Sequence, residues 1–116
     1  MTDKEYQEFD YSDFVDCLRA HSKDSDKLMD MLHCSVGISG EAGELLDHMK
    51  KVMWQRHHID LDYLILELGD ILFYLTSMCN CIDVNIDIIR KRNIEKLQAR
   101  YPDRVFDSER SINRND

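Results

Sequence analysis

Residues 61–81 read LDYLILELGDILFYLTSMCNC, apolar at nearly every helical position, yet with Glu67 and Asp70 near the middle. No other stretch constrains the fold as tightly. The apolar residues fall on all sides of a helix, so most of those sides must be covered. A covered helix that holds two carboxylates needs something to meet their charge. Asp62, Glu67 and Asp70 interrupt the apolar run at 61–78, which argues against a membrane span.

Three further helices can be drawn. The first covers about residues 11–21, with Phe14, Val15, Cys17 and Leu18 on one face and Ser12 as its cap. The second covers about residues 25–54. Its apolar positions from Leu28 to Met53 keep helical spacing, and small residues at 35–40 offer a place for a kink. The last covers about residues 85–100 and stops at Tyr101-Pro102, as a proline dictates. A polar, extended tail is expected at about 103–116. One proline and four glycines in 116 residues favour long helices over sheets. The expected fold is one all-α domain over 1–116, an up-down helical bundle of four main helices. A helix apolar all round exceeds what three neighbours can cover. A homo-oligomer is therefore expected to bury the remainder.

The net charge of −8 argues against nucleic acid and anionic membranes as partners. Cys17, Cys34, Cys79 and Cys81 form no Cys-x-x-Cys pair and read as reduced, mostly buried thiols. The start, MTDKEYQEFDYSD, is acidic and polar, unlike a targeting peptide. A cytoplasmic location is expected.

The carboxylates recur as a pattern. Glu41-Ala42-Gly43-Glu44 and Glu67-Leu68-Gly69-Asp70 each place two acids three residues apart, on one helical face. No Lys or Arg stands three or four residues from any of the four; only Glu44 has His48. Asp47, by contrast, has Lys50 and Lys51 in reach, as a surface ion pair should. Two uncompensated pairs on neighbouring antiparallel helices would form one acidic pocket suited to hard divalent cations. Gly43 and Gly69 would let those helices approach closely, at about 1 kcal/mol each relative to alanine. A di-iron bundle would need Glu-x-x-His on two helices. Here the i+3 residues are Glu44 and Asp70, so Mg²⁺ is favoured, with Mn²⁺ as substitute. His57-His58 read as exposed loop residues rather than zinc ligands.

On the last helix Asn93, Lys96 and Arg100 share a face beside the apolar Ile86, Ile89, Ile94, Leu97 and Tyr101. A divalent-metal pocket with a Lys and an Arg is what a polyphosphate needs. The ordered blocks LHCSVGISGEAGELLDHMKK, ELGDILFYL and RNIEKLQARYP resemble the MazG-type all-α nucleoside triphosphate pyrophosphohydrolases. That resemblance implies a helical bundle, usually a homodimer or homotetramer, with metal sites near subunit contacts. It implies Mg-dependent hydrolysis of nucleoside triphosphates, deoxynucleotides above all, between the α and β phosphates. By position Glu41, Glu44, Glu67 and Asp70 match the metal ligands, and Asn93, Lys96 and Arg100 the phosphate contacts. Lys51 is a further phosphate candidate, and Tyr74, one turn past Asp70, a sugar or base contact. Trp54 fits a base platform or an interface equally well. Some members carry an extra glutamate just before the first block, where this chain has Gly40. The general base stays open between one of the four carboxylates and metal activation of water alone. Two other readings compete: hydrolysis of another nucleotide polyphosphate of the alarmone type, and a non-catalytic helical module.

Overall fold

The computed structural model describes residues 1–19 and 26–113, and among them every regular element is helical. The helices are α1 (Asp3–Glu8), α2 (Tyr11–Leu18), α3 (Lys27–Trp54), α4 (Leu61–Cys81), α5 (Ile86–Arg100) and α6 (Ser108–Ile112). The all-α expectation and its four main helices hold. The expected end of the first helix at 20–21, the expected start of the second at 25 and the last tail residues, 114–116, lie outside the described residues. Two compact units result, Met1–Asp83 and Val84–Asp116.

Each helix begins on a side chain that accepts a backbone N–H: Thr2, Asp10, Asp26, Asp60, Asn85 and Asp107. Such caps stabilise a helix start by about 1 kcal/mol. Ser12 is not the cap of α2, contrary to expectation. Asp10 takes that role, because its carboxylate reaches the Asp13 amide at 3.0 Å. The small residues of 35–40 do not break α3 either, which runs unbroken through them. The Ser35 hydroxyl donates to the Met31 carbonyl at 2.9 Å and leaves the ladder intact.

In the first unit α3 and α4 form an antiparallel hairpin. Contacts run in reverse order along the two helices: Cys34 with Cys81, Gly37 with Tyr74, Glu41 with Asp70, Glu44 with Glu67, His48 with Tyr63. Spacings of three and four alternate on α3, and on α4 from Tyr63 to Tyr74, as in a coiled-coil seam. The seam thus has carboxylates in its centre, where apolar knobs usually sit.

Apart from Glu67, the buried residues gather at one end of this hairpin. Val15, Cys34, Thr76, Ser77, Cys79 and Cys81 are all buried there, and α2 covers α4. The Ser12 hydroxyl donates to Asn80 Oδ1 at 2.7 Å, and Asn80 Nδ2 donates back to the Ser12 carbonyl at 3.1 Å. Arg19 donates to the Ser77 carbonyl at 3.2 Å and lies 3.7 Å from the Asp30 carboxylate of α3. Cys34, Cys79 and Cys81 are buried thiols as expected, while Cys17 is exposed.

In the second unit the segment after α5 folds back rather than extending. The Tyr101 and Phe106 rings meet at 5.6 Å, and Arg110 donates to Asp103 at 3.0 Å. α4 is long and apolar enough to cross a membrane, with a mean hydropathy of 1.3. Its Glu67 and Asp70 face the seam and its C-terminal end packs against α2, while Leu61, Ile65, Leu66 and Leu68 are exposed.

Candidate active site

The seam brings all four predicted acids together. Glu41, Glu67 and Asp70 each offer an oxygen within 4.8 Å of the others. Glu44 joins through a carboxyl contact with Glu67, which also touches Glu41. Glu67 is buried, Glu41 half-buried, and Glu44 and Asp70 exposed, so the cluster opens on one side. Contact with Glu41, then burial, raises the Glu67 pKa from its ordinary value. Contact with Glu67 and its charge raise that of Glu44. Crowded like charges are the shared cause.

The residues fit a hard divalent cation. The buried oxygens Glu41 Oε2 and Glu67 Oε2 have no hydrogen-bond partner. Among the described residues none of the four acids is in an ion pair. A buried, unpartnered carboxylate oxygen is costly unless a cation meets it. An all-oxygen donor set suits Mg²⁺ or Mn²⁺.

The glycines act differently from expectation. Around Gly43 and Gly69 there is nothing for a Cβ to meet within 4 Å, so neither makes the hairpin close. Both lie off the seam, because they sit two residues from one seam acid and one from the other. Gly37 makes the close approach: a Cβ there would clash with the Tyr74 ring.

The other predicted site residues are placed as follows. Tyr74 lies one turn past Asp70 in the seam, with His33 at 6.0 Å. Lys51 is held by Asp47 at 2.8 Å, beside Lys50 at 3.2 Å on the same carboxylate. Asn93, Lys96 and Arg100 stand on α5 in the second unit, where the Arg100 guanidinium lies 5.9 Å from the Tyr101 ring centre. Trp54 is exposed at the end of α3, and His57 and His58 are exposed in the loop after it. One pair was missed by the sequence reading. The rings of His48 and Tyr63 meet at 5.0 Å at the loop end of the seam. The signal was their spacing, one turn beyond Glu44 and one turn before Glu67.

An antiparallel helical pair with an oxygen-only acid cluster in its seam defines an all-α protein with a candidate divalent-cation site. The chain belongs to the MazG family: the model of the MazG nucleotide pyrophosphohydrolase domain matches residues 32–105, from early α3 into the turns after α5. It is similar to the Gene 37 protein of Mycobacterium phage L5, at 32% identity over 81 residues, covering 66% of this chain and 71% of that protein. No solved structure matches significantly. Family membership supplies the general activity, nucleotide pyrophosphohydrolysis, with a nucleotide substrate and a metal requirement.

Proposed function

We propose that the protein hydrolyses nucleoside triphosphates, with deoxynucleotides as the expected substrates, to the monophosphate and pyrophosphate in a Mg²⁺-dependent reaction. The observation that carries this reading is the acid cluster in the seam, with two buried oxygens that have no hydrogen-bond partner among the described residues. Glu41, Glu44, Glu67 and Asp70 would hold Mg²⁺, or Mn²⁺ in its place. When bound, the metal would neutralise phosphate charge and acidify the attacking water. The chain's own residues do the rest. Lys51, Asn93, Lys96 and Arg100 hold phosphate oxygens, and Tyr74 meets the sugar or base. Proximity and fixed orientation then supply much of the rate.

A homodimer or homotetramer in the cytoplasm, without nucleic-acid or membrane partners, completes the reading. Ile65 is 64%, Leu66 68% and Leu68 55% exposed within one chain, and a second copy would cover them.

Pyrophosphate release from the eight common NTPs and dNTPs tests the reaction, with Mg²⁺ and with EDTA. Metal-dependent release of monophosphate and pyrophosphate is expected, lost in Glu44→Ala and Asp70→Ala. A folded wild type that binds Mg²⁺ yet turns over none of the eight would point to another nucleotide polyphosphate. No metal binding at all would leave only a non-catalytic module.

A further inference from the structure

The seam continues past the acids toward the α3–α4 loop, and there it changes character. Tyr63 lies one turn before Glu67 on the same face of α4, and His48 one turn after Glu44 on the same face of α3. Their rings pack at 40° to one another. His48 Nε2 accepts the Asp60 amide N–H at 3.2 Å. That contact ties the His48 ring to the start of α4. Asp60 Oδ1 accepts the Tyr63 amide at 3.0 Å. Both the backbone and the ring of Tyr63 are therefore held.

The phenol sits between charges of both signs. Burial and the carboxylates of Glu67 and Glu44 raise its pKa, and the Lys51 ammonium opposes them. It is thus a neutral donor at physiological pH, close to a cation and to the acid cluster. At the other end Tyr74 also meets a histidine ring, His33, but there the ring fills the recess at Gly37, and no lysine is among the described groups around it. Phosphate oxygens take donors and cations, whereas a nucleoside takes ring faces.

We infer that the Tyr63 hydroxyl binds the terminal phosphates of the substrate, so that pyrophosphate lies toward the 55–60 loop and the nucleoside toward Tyr74 and Gly37. This deepens the pyrophosphohydrolase reading above and rests on it. The acids hold the metal in the middle of the seam, and the bond to be cut lies over them. Tyr63→Phe removes one donor and keeps the ring against His48.

The test is calorimetric titration of the full chain in Mg²⁺ with inorganic pyrophosphate and, separately, with the four deoxynucleoside monophosphates. Tyr63→Phe should weaken pyrophosphate binding about tenfold, the usual size for a lost hydrogen bond to a charged group. Monophosphate affinity should stay within about twofold of wild type, because that contact lies at the other end. Mn²⁺ binding, read by electron paramagnetic resonance, should not change. Unchanged pyrophosphate affinity in the variant overturns the contact. A loss confined to the monophosphates reverses the orientation and overturns it too. A loss of Mn²⁺ affinity assigns Tyr63 to the metal cluster instead. If the wild type releases pyrophosphate from triphosphates while any of these results holds, the reaction stands and only the Tyr63 contact falls. A wild type that neither turns over triphosphates nor binds pyrophosphate removes both.

Discussion

The α3–α4 hairpin has two faces with opposite compositions. The inner face, where the helices meet, carries Glu41, Glu44, Glu67 and Asp70 in its centre. The outer face presents Leu61, Ile65, Leu66 and Leu68, each more than half exposed. A hairpin built for its own stability would have this the other way round. The inversion separates two requirements. The inner face gives up apolar packing to keep a cluster that no ion pair among the described residues balances. The outer face keeps apolar surface that a single chain leaves uncovered.

The largest effect should come from the inner face. Glu67→Gln removes the buried charge but keeps the shape of the side chain. Pyrophosphate release from triphosphates should fall about a thousandfold or more, as expected when a metal ligand is lost. Stability should move the opposite way. In EDTA the wild type holds crowded carboxylates whose pKa values are pushed up. Relief of that repulsion should raise the melting temperature of the variant above wild type. Saturating Mg²⁺ should reverse the order, because only the wild type gains metal-binding energy. A variant less stable than wild type in EDTA would mean that Glu67 serves the fold rather than a metal.

The outer face should show the next largest effect, on assembly. Leu68→Asp puts a charge on a surface that the proposed second copy covers. More than a tenfold rise in the dissociation constant of the assembly is expected, read by light scattering across a dilution series. Ile65→Asp should behave alike. A wild type that is monomeric at every concentration would remove the oligomer from the proposal and leave the inner face unaffected.

Much of this contrast was legible in the sequence. The four acids announced themselves because no cation stood within a helical turn of any of them, while Asp47 had two and pairs with both. The all-round apolar pattern of α4 showed that one chain would not cover it. Other features follow from geometry that spacing does not contain. Which glycine makes the close approach depends on the rotation of each helix about its own axis, and that placed Gly37 in the seam and Gly43 and Gly69 outside it. The short α1 had its signal in Thr2-Asp3-Lys4-Glu5, a capping box that the structure forms in both directions. It went unread because six residues hold too little periodicity to show a helix.

The glycines sharpen the comparison at its smallest scale. Gly37→Ala must push the Tyr74 ring aside, because the added Cβ would overlap the body of the ring and not a mobile tip. Overpacking of this kind costs about 1–3 kcal/mol. The gain in helix propensity returns only about 1 kcal/mol. The melting temperature should fall by a few degrees, and nucleotide binding should weaken with it, since Tyr74 lines the proposed nucleoside end. Gly43→Ala and Gly69→Ala meet nothing within 4 Å in one chain. Each should therefore gain about 1 kcal/mol from helix propensity, and thermal denaturation should show a rise of several degrees. The same two variants also report on the outer face. If either lowers the melting temperature or loosens the assembly, the glycine is making room for a second copy. The close approach first expected inside the hairpin would then belong between subunits.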